Sequence, residues 1–327
     1  MTPPPLPSES PGPAPSTGAV TLIGGLHLDR IAHADRRILP DTSTPARIEK
    51  RPGGVATNVA MVLARLGVPA RILGCVGEDG DGTDLLDRLG ALDIDLTGIT
   101  RARGATATYL ALHDPDGRLA AAVVDDVITA QFSPQALHRS HALLAGARIW
   151  FMDTNLRADT LDELMRLSDV RGEGAFLVAD AVSMAKARRL APILPRLDLL
   201  FANRGEAEVL VGEDGSAEQL AQALVEEGVG AVIITDGADG VVMTGGRYQP
   251  MRRPALPART LDVTGAGDAL TGGTLAGLSA GLDLAEALDY GRAAAALTLE
   301  ATGAAPEGLS LAALHLRLDA AEADRLA

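Results

Sequence analysis

Short apolar, β-branched runs alternate with stretches of helical period along most of the chain. VTLIGG, ARILGCVG, RIWFMD, AFLVAD, LDLLFAN and AVIITDG read as strands apolar on both faces, and segments such as NVAMVLARLG and AEQLAQALVEEG read as amphipathic helices. That alternation predicts an α/β fold of three layers, a mostly parallel sheet covered by helices on both sides. Two stretches depart from it. Residues 106–126, TATYLALHDPDGRLAAAVVDD, predict a β-hairpin around the Asp116-Gly117 turn. Residues 31–50 lack helical period and are expected to pair with that hairpin as a small β lid. Residues 1–19 are dense in Pro, Ser and Gly, with neither a basic segment nor an apolar one, and predict a solvated, disordered tail. The main domain is expected over residues 20–316, with 317–327 as the end of a C-terminal helix.

Composition narrows the function. Of the 327 residues, 47% are apolar but only 2% aromatic, so aliphatic side chains fill the interior and a base-stacking platform is not expected. The 29 basic and 43 acidic residues leave a net charge of −14, which repels phosphate backbones and argues against a nucleic-acid partner. Cys75 is the single cysteine. It allows no internal disulfide and no Cys-rich zinc site, and it fits a reducing cytoplasm. No run of eighteen apolar residues is present, so no membrane partner is expected.

The most informative segment is LDVTGAGDALTGGTLAGLSA, residues 261–280. Gly265, Ala266 and Gly267 carry almost no side chain, so their amides can converge on an anion at the start of the following helix. That helix is predicted from the face formed by Leu270, Gly273, Thr274, Gly277 and Leu278. Asp268 then falls in its first turn. A carboxylate there can simply answer the helix dipole. It can also take the proton of a substrate hydroxyl while the amides beside it stabilise a transferring phosphoryl group. In PGGVATNVAMVLARLG, residues 52–67, Gly53 and Gly54 permit close approach to a ligand. Asn58 reads either as an N-cap or as a polar group presented to a substrate. No Walker A motif occurs, the only lysines being Lys50 and Lys186, and GAGDAL has Leu270 where a dinucleotide fingerprint needs glycine.

GGVATNVAMVLARLG and DVTGAGDALTGG, in that order and about 200 residues apart, resemble the two motifs of the ribokinase-like (PfkB) carbohydrate and nucleoside kinases. The resemblance covers about residues 21–314 and implies the ribokinase-like fold with its β lid. It also implies ATP and Mg2+ as cofactors and a sugar or nucleoside as acceptor. On it, Asp268 is the base and residues 265–267 are the anion hole. Asn203 and Glu206 resemble the Asn-x-x-Glu that organises Mg2+ and its waters, and Thr235, Gly237 and Gly240 resemble the turn that receives the nucleotide. Gly25, His27 and Asp29 follow the first strand where many members carry Asn-x-Asp, so Asp29 is expected to bond sugar hydroxyls, with Gly53, Gly54 and Asn58 completing that face; His27 departs from the pattern.

Family members often use K+, and Asp262, Thr264 and Gly303 lie where its ligands would come from. Members also often pair through their lids, which implies a homodimer. Within the family three stretches are more similar to pseudouridine kinases than to ribokinases or fructokinases, among them DAVSMAK with Asp180, Ser183 and Lys186. Lys186 read by itself is equally a surface cation. Pseudouridine therefore leads as acceptor, with D-ribose, another furanose or another nucleoside as the alternative. A non-catalytic sugar or nucleotide sensor on the same scaffold is the reading from another class.

Overall fold

The computed structural model describes residues 19–170 and 175–326; the expectation for the amino-terminal tail falls outside them except for Ala19. Thirteen strands are formed among the described residues: β1 (Val20–Ile23), β2 (His27–Ala34), β3 (Ala46–Gly53), β4 (Ala70–Gly77), β5 (Asp95–Ala102), β6 (Thr108–His113), β7 (Leu119–Asp125), β8 (Ile149–Asp153), β9 (Phe176–Asp180), β10 (Leu199–Asn203), β11 (Ala231–Thr235), β12 (Val241–Gly245) and β13 (Tyr248–Arg253). The helices are α1 (Val55–Arg65), α2 (Gly80–Gly90), α3 (Pro134–Arg139), α4 (His141–Leu144), α5 (Ala158–Val170), α6 (Met184–Ala187), α7 (Arg204–Val211), α8 (Ala217–Glu226), α9 (Ala266–Ser279), α10 (Leu284–Leu299) and α11 (Leu311–Leu326).

Nine strands make one sheet in the order β13-β12-β11-β10-β9-β8-β1-β4-β5. From β11 to β5 every pairing is parallel, while β12 and β13 close one edge antiparallel. Successive residues of a strand point to opposite faces, which is why these runs are apolar throughout. Leu22 belongs to the apolar cluster that includes α1, α9 and α10 on one side, and its neighbour Ile23 to the cluster that includes α3, α5 and α8 on the other. Helix α9 lies close against its neighbours because a Cβ on Gly273 or Gly277 would overlap Gly291 or Ala287 of α10. Among the described residues no helix is long and apolar enough to cross a membrane.

The remaining strands form a second, four-stranded sheet in the order β3-β2-β6-β7. The strands flanking the Asp116-Gly117 turn pair antiparallel. Its first strand begins at His27 rather than Ile31, because β2 pairs with β3 from the His27–Gly53 register onward. His27 and Asp29 therefore stand on this sheet instead of in a loop after β1. Strand β7 is exposed along its whole length, Val123 and Val124 included.

Candidate active site at the sheet switch point

The strand order reverses at β1, whose neighbours β4 and β8 lead to opposite edges, so the loops leaving β1 and β8 diverge and open a crevice. Asp153 ends β8 at this point and is fully buried. Its carboxylate accepts hydrogen bonds from the amides of Gly25 (3.0 Å), Ala56 (3.0 Å) and Asn155 (2.9 Å), tying together the β1 loop, the start of α1 and the end of β8. Burial pushes its carboxyl upward, against the pull of those amides.

On the side of the second sheet, Asp29 accepts a hydrogen bond from the Tyr109 amide (3.1 Å), and burial pushes its carboxyl up to about 6. A Cβ on Gly53 would lie 2.0 Å from the Asp29 carboxylate, and one on Gly54, which has φ +88°, would lie 2.4 Å from the Gly25 carbonyl oxygen. These glycines therefore make room for the chain itself, which seats Asp29, and not only for a ligand. His27 is buried with Nδ1 3.9 Å from Asp29, and its Nε2 has no hydrogen-bond partner among the described residues. Burial first, and the Lys186 charge second, lower it to about 4, so the imidazole is neutral.

Asp268 lies in the first turn of α9, behind Gly265, which takes φ +77° and whose Cβ would stand 2.2 Å from that of Ala304. No L side chain fits there, and the turn starts the helix at once, with the Ala266 amide donating to the Val263 carbonyl at 3.4 Å. The Asn58 amide donates to Asp268 at 2.6 Å across the crevice. Asn58 is thus not an N-cap: α1 begins behind Gly54, and Asn58 sits one turn inside it. Burial raises the Asp268 carboxyl to about 7, helped by the charges of Asp153, Asp29 and Glu206 and opposed by Asn58.

On the other side of Asp268, Asn203 and Glu206 form a reciprocal capping box at the start of α7, with both bonds 2.9 Å. Glu206 is nevertheless buried, and burial pushes its carboxyl upward. It lines a cavity with Asp180, Val182, Thr235, Gly267 and Asp268. A second cavity of about 590 Å3 adjoins it and shares Thr235 and Gly267. Gly237, Gly240, Leu256, Val263 and Ala266 supply its mostly apolar wall, and its volume is that of an ordinary small-molecule pocket.

Several residues of the site escape sequence reading. Val182 takes φ +62°, an uncommon conformation for a β-branched residue, and Ser183 donates to the Ala181 carbonyl at 2.6 Å to close a γ-turn around it. The Asp180 carboxylate accepts from the Val182 amide (2.8 Å) and holds the turn. The turn leads into α6 and sets Lys186, which donates to Asn155 (2.7 Å) and to Asp126. With 17% of its side chain exposed, Lys186 is not the surface cation that it also resembled. Asp126 and Asn155 come from separate loops, and only the tertiary arrangement brings them to Lys186. Asp262, Thr264 and Gly303 do come together: the Asp262 carboxylate accepts from the amides of Thr264 (2.9 Å) and Gly303 (3.2 Å). The Arg51 guanidinium lies among them, 3.5 Å from Asp262.

The family profile described as pfkB family carbohydrate kinase matches residues 19–309. The chain belongs to the pfkB family of carbohydrate kinases. It is 26% identical to a pseudouridine kinase of Arabidopsis thaliana over 89% of this chain and 93% of that protein. It is also 26% identical to a pseudouridine kinase of Escherichia coli K12, over 86% and 90%. Among solved structures it is similar to a carbohydrate kinase from Agrobacterium tumefaciens, with TM-score 0.81 and 30% identity over 93% of this chain and 97% of that one. A ribokinase from Arabidopsis thaliana complexed with ribose and ATP shares the fold at TM-score 0.81 and 20% identity, over 92% and 98% of the two chains. This pfkB kinase therefore has the ribokinase-like fold and is a sugar or nucleoside kinase, a phosphotransferase acting on a hydroxyl group.

Proposed function

We propose that this pfkB kinase transfers the γ-phosphoryl group of ATP to the 5′-hydroxyl of pseudouridine, forming pseudouridine 5′-phosphate and ADP. The observation that carries the reading is the place of Asp268: it joins the Asp29 side of the crevice, through Asn58, to the cavity lined by Glu206 and Gly267. A hydroxyl beside Asp268 would face a phosphoryl group gathered by the amides of residues 265–267. As its oxygen bonds to phosphorus and the bond to ADP breaks, the proton passes to the Asp268 carboxylate. Burial and the surrounding acids hold that carboxyl near neutrality, where it is both ionised often enough and basic enough to act. Asp29 takes the ribose hydroxyls, an arrangement that rejects acceptors lacking them.

The residues fit Mg2+ through their chemistry, since Asp180, Asn203 and Glu206 bring hard oxygen donors to the phosphate-side cavity. When bound with its waters, the ion would neutralise charge on the phosphates. Adenosine suits the neighbouring apolar cavity, with Thr235, Gly237 and Gly240 at its border. The exposed β7 face of the second sheet suits a homodimer through the lid, and the buried Cys75 suits a cytoplasmic enzyme.

Pseudouridine is favoured over a plain sugar by the Lys186–Asn155–Asp126 cluster, which sets a cationic donor, an amide and a carboxylate acceptor together near His27. A uracil edge presents carbonyls and an imide N–H, and C-glycosidic attachment adds a second ring N–H that uridine lacks. The relatives named pseudouridine kinase support the same acceptor. Measuring ADP release with pseudouridine, uridine, ribose and fructose tests the assignment. Turnover with pseudouridine far above the others is expected. A preference for ribose or uridine overturns the acceptor, and tight binding without ADP release from any acceptor favours a sensor.

A further inference from the structure

The Arg51 guanidinium reaches across 211 positions of sequence from β3 to the loop that precedes the anion hole. Its Nη1 lies 3.5 Å from the Asp262 carboxylate, its Nη2 pairs with Glu49, and both groups of the Arg51–Asp262 pair are mostly shielded from solvent. Among the described residues the other donors to Asp262 are the amides of Thr264 and Gly303, so both carboxylate oxygens are engaged, while the guanidinium is shared with Glu49. Arg51 lowers the Asp262 carboxyl further, keeping it ionised. A monovalent metal ion does not fit beside this carboxylate, because it would stand next to a fixed positive charge and compete with these donors. Asp262 lies three residues before Gly265, and the amides of Leu261 and Asp262 anchor the same loop to the Leu299 carbonyl. A change at Asp262 is therefore passed directly to the amides of residues 265–267.

We propose that Arg51 is the built-in cation of this kinase, a positioning residue whose guanidinium holds the Asp262 loop, and with it the anion hole, in place of a bound ion such as K+. The inference rests on phosphoryl transfer at residues 265–268, not on the identity of the acceptor. It also gives β3 two tasks, since the next turn of chain, Gly53 and Gly54, seats Asp29 on the acceptor side.

The test compares the full chain with Arg51→Ala and Arg51→Lys in tetramethylammonium chloride and in potassium chloride at equal ionic strength. ADP release is read with whichever acceptor turns over, and thermal melting is read with no acceptor. The parent is expected to change kcat less than about twofold between the salts, and Arg51→Ala to lose roughly tenfold or more in tetramethylammonium, with the acceptor KM moving much less. Potassium restores part of the loss, Arg51→Lys retains more activity than Arg51→Ala, and potassium raises the melting temperature of Arg51→Ala alone. A parent that requires potassium, or whose melting temperature potassium raises, overturns the proposal. So does an Arg51→Ala variant with parental kcat, or a loss that neither potassium nor lysine repairs. The melting arm needs no acceptor, so it stands even if pseudouridine is not phosphorylated.

Discussion

Replacing Asn58 by Leu keeps the side-chain size and deletes the side-chain donor that the Asp268 carboxylate receives from α1, at 2.6 Å. That donor opposes burial and three neighbouring acids, which together bring Asp268 to about 7. A hydrogen bond to a charged group contributes about 1.5–3 kcal/mol, and one pH unit corresponds to about 1.4 kcal/mol, so its loss moves the titration up by roughly one to two pH units. An ionised base is required for transfer, and kcat/KM reports the free enzyme. The acidic limb of the parent profile is expected near the Asp268 value of about 7. In Asn58→Leu the limb moves to higher pH, so at neutrality kcat/KM falls by about 5- to 50-fold and recovers as pH rises. The assay is ADP release against pH at subsaturating acceptor. A lower profile with its acidic limb in the parental position would refute the reasoning, because Asn58 would then be acting on the substrate rather than on Asp268.

Asp268→Asn is expected to keep the fold and nucleotide affinity and to lower kcat by about 10²- to 10⁴-fold, with the acidic limb gone; near-parental kcat removes Asp268 as the base. The Asp268 carboxyl is raised on folding from 3.8 to about 7. The folded chain therefore holds that proton more tightly than the unfolded one, and the contribution of this group to stability falls as pH rises from about 4 to 7. The Asn variant should accordingly gain in melting temperature relative to the parent at pH 8 compared with pH 4, and an equal difference at both would contradict that linkage. Asp29→Ala should raise the KM of the acceptor far more than that of ATP, because the carboxylate lies on the β2 side of Asp268; equal effects deny it an acceptor role. Val182→Gly should relieve a backbone strain of order 1–3 kcal/mol and raise thermal stability, while loosening the turn that sets Lys186 and so raising the acceptor KM. An unchanged or lower melting temperature would mean that relief of the turn at φ +62° does not outweigh the chain entropy and packing lost with glycine.

The layered sheet and the helix that opens with Gly265 were legible in the chain because both depend on local chemistry. Short, β-branched apolar runs bounded by turn residues favour interior strands, and a glycine-bounded turn ahead of small and apolar residues at helical spacing favours a helix start. The hairpin around Asp116-Gly117 was legible for the same reason. The start of β2 at His27 was not, since it depends on pairing with Gly53. Asn58 read equally as a cap, and only the approach of α1 to α9 turned its side chain toward Asp268, 210 residues away. The neutral state of His27, the near-neutral carboxyl of Asp268 and the Arg51–Asp262 contact likewise belong to the assembled molecule. Sequence by itself determined where the glycine-bounded turn opens α9 and that Asp268 falls in its first turn. Tertiary structure decided which side chains meet there and in what charge state, because burial and through-space charge act between neighbours in space, whatever their separation along the chain.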